Sequence, residues 1–138
     1  MRILKSAAAV GALGLAFSLS AAPASAASVL SARCAKSGFQ LNASITYANA
    51  GAQHIFTKLT WNIAGAVGSD NDVYFEFWKN GSPDHVLKVV KMNDVSRSGS
   101  VNLSFRRPVS DPIYVRGGAV FDTNHATDPV CKYVTRTI

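Results

Sequence analysis

The sequence predicts an all-β fold, a single antiparallel sandwich of two sheets and seven to eight strands. Three observations carry this. Apolar residues recur with a period of two, which is the side-chain period of a strand and not of a helix. Runs of Gly, Asn, Asp, Ser and Pro punctuate the chain at steady intervals, as short strands joined by turns require. Two cysteines, Cys34 and Cys131, stand near the two ends of the chain beyond an export-type leader.

A first strand is expected around Val29 to Ala35. The next, "FQLNASITY", is the cleanest: Phe39, Leu41, Ala43, Ile45 and Tyr47 face one way, and Gln40, Asn42, Ser44 and Thr46 face the other. "ANAGAQ" turns the chain into "HIFTKLTWNI". Simple alternation there puts Ile55, Thr57, Leu59, Trp61 and Ile63 inward. It leaves Phe56 as the apolar exception among His54, Lys58, Thr60 and Asn62. The loop "GAVGSDND" leads to "VYFEFWKNG", whose Asn80-Gly81 pair suits a hairpin because both residues accept positive φ. "HVLKVVKM" returns, "NDVSRSGS" turns, and "VNLSF" sends Val101, Leu103 and Phe105 inward. "RRPVSDP" stops pairing with two prolines. "IYVRGGAVF" comes next, and its Gly117-Gly118 pair predicts a bulge or a close backbone approach. The loop "DTNHATDP" precedes the closing strand in "VCKYVTRTI".

Trp61, in mid-strand, suits a core position. The layout resembles immunoglobulin-like domains in general arrangement. It departs from them in the cysteines, which join terminal strands instead of spanning the core beside a tryptophan. A small closed barrel is the alternative architecture.

The leader sets the expected destination. Arg2 and Lys5 form a positive head, Ala7 to Leu19 is uncharged and apolar, and Ala24-Ser25-Ala26 has the small–x–small pattern of a cleavage site. Residues 1–26 therefore read as a secretory signal peptide and 27–138 as one domain. The leader's Ala-rich composition has a bacterial character. Its apolar run is short for a membrane span, and Arg33 before Cys34 does not fit a lipoprotein site, so a secreted, extracellular protein with no membrane anchor is expected. Outside the cell an even cysteine count favours a disulfide, here between Cys34 and Cys131. Removing Arg2 and Lys5 takes the formal charge from +6 to +4. That suits attraction to anionic surfaces such as cell-wall polymers. The basic residues are scattered, with only Arg106 and Arg107 adjacent, so nucleic acid is not an expected partner.

The histidines His54, His85 and His125 fall in no recognisable catalytic motif. Seven aspartates and Glu76 make up the acids, and most aspartates lie in turns, where their side chains cap backbone N–H groups. In an antiparallel sandwich alternate loops share one end. The loops at residues 64–72, 93–100 and 122–129 would therefore gather Asp70, Asp72, Asp94, Asp122 and Asp128. Hard oxygen ligands on loops are what calcium needs, so Asp70, Asp72, Asp122 and Asp128 are calcium candidates, although no EF-hand pattern is present. No other cofactor is expected.

The stretch "VYFEFWKNG" is apolar on both faces. If Val73, Phe75 and Phe77 are core, Tyr74, Glu76 and Trp78 point outward, and Phe56 breaks pattern in the same sense. Phe56, Tyr74 and Trp78 would then form an exposed aromatic patch, of the sort that marks interaction sites. Alternatively the chain covers this second face itself, as in strands buried on both sides. The expected function is non-enzymatic: binding of another secreted or cell-surface protein, as an accessory or adaptor subunit or an inhibitor, through this aromatic face or a loop end. Carbohydrate or cell-wall binding is the alternative reading, and a small secreted enzyme is the third.

Overall fold

A computed structural model describes residues 25–138. Apart from Ser25 and Ala26, the segment 1–26 assigned to the signal peptide lies outside the described residues. The described chain forms eight strands: β1 Ser28–Lys36, β2 Phe39–Ala50, β3 Gln53–Ala64, β4 Asn71–Lys79, β5 His85–Val95, β6 Ser98–Pro108, β7 Ile113–Val120 and β8 Val130–Val134. They build two four-stranded antiparallel sheets, ordered β1-β2-β3-β6 and β5-β4-β7-β8. The chain first crosses between sheets after β3, one strand later than in immunoglobulin domains.

The strands exist because alternate residues have a core to enter. In β2, Leu41, Ala43, Ile45 and Tyr47 are buried while Gln40, Asn42, Ser44 and Thr46 face out. In β4, Val73, Phe75 and Phe77 are buried from the opposite sheet. Phe56 of β3 and Phe77 of β4 meet edge to face at 5.0 Å, and Phe105 of β6 meets Phe77 at 5.1 Å, so aromatic rings seal the sheets together. Trp61 is buried as its position implies, and its indole N–H donates to the Ser96 carbonyl at 3.0 Å.

One expectation is overturned. Simple alternation places Phe56 outward beside Tyr74 and Trp78, but it lies at 0 % exposure in the core. The cause is a bulge. The β3–β6 register shifts between Phe56 and Lys58, and the β2–β3 register shifts between Thr46 and Tyr47. Thr57 is the extra residue, and it is exposed. Beyond it Leu59, Trp61 and Ile63 face inward; before it the parity reverses, so Phe56 and His54 do. Phe56 therefore belongs to no exposed patch.

Gly117 and Gly118 follow the close-approach alternative. No register shift occurs in the pairing of β7 with β4 or β8. A Cβ on Gly117 would meet the Tyr133 ring and, at 2.5 Å, the Tyr74 carbonyl oxygen. A Cβ on Gly118 would collide with the Cys131 carbonyl and lie 3.0 Å from the Tyr74 hydroxyl. The two glycines thus clear space for one tyrosine on each side of the sheet.

The two flanks of the sandwich differ. Along one, β1 and β8 are joined by the Cys34–Cys131 disulfide, with Cα atoms 5.6 Å apart. Along the other run the edges of β5 and β6, which are consecutive in sequence but belong to different sheets. Their inward side chains, among them Val90, Met92, Val101 and Leu103, are only half-buried.

Candidate functional site

The outer face of β5-β4-β7-β8 carries Tyr74, Glu76 and Trp78 from β4, all half-buried and pointing away from the core. Register places Glu76 opposite Arg116 and Trp78 opposite Tyr114 on β7. The Trp78 indole N–H donates to Glu76 Oε2 at 3.1 Å. Trp78 and Tyr114 lie nearly parallel, at 13° with centroids 6.4 Å apart. The Arg116 guanidinium sits over both rings, 4.5 Å from Trp78 and 5.3 Å from Tyr114. Tyr114 donates its hydroxyl to Asp84 Oδ2 at 2.7 Å, and Asp84 Oδ1 accepts the Gly81 N–H at 2.9 Å. The second face of "VYFEFWKNG" is thus partly covered by the chain's own Arg116 and Tyr114, with Tyr74 lying against Gly118.

These contacts shift the acids and phenols. The Gly81 N–H and the Tyr114 hydroxyl hold the Asp84 carboxyl below its ordinary value. Desolvation, then the bond to Asp84, pushes the Tyr114 phenol up; desolvation, then Glu76, does the same to Tyr74.

Apolar side chains flank this centre. Val86 and Val89 on β5 and Val130 and Val134 on β8 are 51 %, 46 %, 43 % and 64 % exposed. Their register partners are outward residues, Val89 facing Glu76 and Val134 facing Arg116. Sequence reasoning found Tyr74 and Trp78 but missed Tyr114, Arg116 and the valines. The pairing of β4 with β7, which brings them together, has no local signature.

The aspartate-bearing loops do meet at one end of the sandwich; Asp72, Asp122 and Asp128 each turn a carboxylate oxygen onto backbone, and Asp70 Oδ1 accepts the Ser69 hydroxyl at 2.9 Å. Asp122 Oδ2 accepts the Asp70 N–H at 3.2 Å, Asp72 Oδ1 accepts the Asp94 N–H at 3.2 Å, and Asp128 Oδ1 accepts the Thr123 N–H at 3.0 Å. Asn71, buried among them, accepts the Asp122 N–H and donates to the Gly68 and Val95 carbonyls. Among the described residues no group of three or more His, Cys, Asp or Glu side chains is arranged to hold a metal ion.

The histidines stand in separate settings. His54 is buried and bonded through Nδ1 to Asn49, His85 opens β5 on the surface, and the His125 ring meets Phe39 edge-on at 6.1 Å.

At the opposite end Asp111 is nearly buried between Lys79, at 2.8 Å, and Arg107, which reaches it through Nε at 3.0 Å and through its terminal nitrogen. Lys79 first, then Arg107, lowers its carboxyl below the ordinary 3.8. A folded-state value below the unfolded one means stability that is fully present above pH 3.8 and is lost as pH falls through the lowered value. Acid melting curves will therefore be shallower below that pH in Asp111→Asn than in the parent, and the variant will melt lower at neutral pH. Parallel curves would show that Asp111 contributes nothing to acid sensitivity.

Comparison with known proteins finds no matching family model, no matching curated protein and no matching solved structure.

Proposed function

We propose that this chain is a secreted, non-enzymatic interaction protein that binds another secreted or cell-surface protein through the outer face of β5-β4-β7-β8. One observation carries the reading. Of the six large hydrophobic side chains exposed among the described residues, four (Val86, Val89, Val130 and Val134) lie on this face, around Tyr74 and Trp78. Scattered exposed apolar residues need no explanation, but their concentration on one sheet face with aromatic residues is the pattern of a docking surface. The Arg116 cap makes the face a poor platform for sugar stacking, because it occupies the ring surface a pyranose would need. A disulfide, and the lack of any helix long and apolar enough to cross a membrane among the described residues, are compatible with export as a free protein.

The test replaces exposed residues only. Val86→Gln, Val89→Gln and Val134→Gln together will leave the fold intact and lower the melting temperature by no more than roughly 10 °C, since exposed substitutions rarely exceed about 0.5 kcal/mol each. The same triple variant will lose at least ten-fold in retention of whatever protein the immobilised parent captures from its own culture fluid. Equal capture by parent and variant would place the interface elsewhere.

A further inference from the structure

The opposite face of the sandwich differs in charge and chemistry. All eight acids, at positions 70, 72, 76, 84, 94, 111, 122 and 128, lie in β4, β5 and the loops. The strands β1, β2, β3 and β6 contain none, yet they hold Arg33, Lys36, Lys58, Arg106 and Arg107. The acids are therefore confined to the other sheet and the loops: this sheet carries basic groups alone, whereas β4, β5, β7 and β8 carry Lys79, Lys88, Lys91, Arg116 and Lys132 beside Asp72, Glu76 and Asp94.

Its outer surface is a lattice of hydrogen-bonding groups. Register aligns Ser31, Ser44, Thr60 and Ser100 in one row across all four strands. The neighbouring row is Arg33, Asn42, Asn62 and Ser98, and on the other side runs Val29, Thr46, Lys58 and Asn102. Rows repeat about every 6.8 Å along the strands, and their members stand about 4.8 Å apart. Only Val29 is apolar. The small hydroxyls, flanked by the larger Arg33, Asn42 and Asn62, leave a shallow trough of about 510 Å³ across β1, β2 and β3.

We infer that this trough binds an anionic polysaccharide, a polyhydroxylated chain bearing carboxylates or phosphates. Hydroxyl and amide groups in register donate to and accept from the hydroxyls of a sugar chain, while Arg33 and Lys58 on the flanking rows meet its anionic groups. With no carboxylate on these strands, an anionic chain meets no repulsion from them. A protein partner would need an apolar centre; the three rows around the trough hold one valine, and Ile55 lies half-buried one row beyond them, opposite Arg106. Single-stranded nucleic acid would need outward aromatic rings for its bases, and the aromatic residues of these four strands are directed to the core. The site is distinct from the valine face, and the two lie on opposite sides of the sandwich.

The experiment measures retention of the purified protein by three polymers at fixed ionic strength. Polygalacturonate is anionic and hydroxylated, dextran is hydroxylated and neutral, and polyglutamate is anionic without hydroxyls. Retention by polygalacturonate at least ten-fold above the other two is expected. Arg33→Gln with Lys58→Gln, both exposed residues, will abolish that preference without moving the melting temperature, and the valine triple variant will retain it. Equal retention by dextran would overturn the role of charge. Equal retention by polyglutamate would reduce the face to a charged patch, and full retention by Arg33→Gln with Lys58→Gln would place any binding elsewhere. Because the protein-binding reading is tested by the valine variant alone, the two proposals fail independently.

Discussion

Replacing Cys34 and Cys131 together by serine will lower the melting temperature by roughly 20 °C. The bridge joins residues 97 apart in sequence, so it removes most of the chain's loop-closure freedom from the unfolded state. In the chain-entropy model a loop near 100 residues is worth about 4–5 kcal/mol, and in a domain of this size each kcal/mol moves the melting temperature by about 4–8 °C. The bridge also fastens β1 to β8, edge strands of different sheets that share no ladder. Scanning calorimetry of the double variant beside the parent checks it. A shift under about 5 °C would mean that packing between Leu30, Cys131 and their neighbours closes this flank unaided.

Phe56→Ala will cost about 3–5 kcal/mol in urea unfolding, the range for an aromatic removed from a packed core. Phe56 is fully buried and touches Tyr47, Phe77 and Phe105, with centroids at 5.8, 5.0 and 5.6 Å. An outward Phe56, as simple alternation implies, would give a cost near that of any surface change, about 0.5 kcal/mol. One equilibrium measurement therefore decides between the two parities of the first half of β3.

That residue also shows where reading the sequence stops. Period-two patterning made β2 from Phe39 to Tyr47 and the inner face of β4 legible, because every apolar residue of those stretches that faces the core keeps one parity. β3 defeats the same rule, since a single extra residue at Thr57 reverses the parity and no residue type announces it. Gly117 and Gly118 were legible as a bulge or a close approach, without a choice between the two, and not as room for Tyr133 and Tyr74, which come from other strands. The clustering of aspartates at one end followed from strand reversal alone. Their use as backbone caps depends on atomic distances that spacing does not encode. The covering of Trp78 required β7 beside β4, a neighbour set by sheet order, which a period-two pattern leaves open. The partition of acids between sheets was invisible for the same reason: it appears only once each strand is assigned to its sheet.

The unlike flanks give the molecule a direction in which to breathe. Along the disulfide the two sheets share a spine. Along β5 and β6 they are held by half-buried side chains, with the Lys88 ammonium 5.9 Å from the centre of the Phe105 ring. Such a body is expected to open as a book opens, widest at the unbound margin, and amide hydrogen exchange faster in β5 and β6 than in β1 and β8 would show it. Val86 and Val89 ride on that margin, and Asn102 and Arg106 lie on its other leaf. The valine face proposed for a protein partner thus runs from the bound spine at β8 to the looser fore-edge at β5, whereas the trough proposed for a polysaccharide lies on β1 to β3, toward the spine.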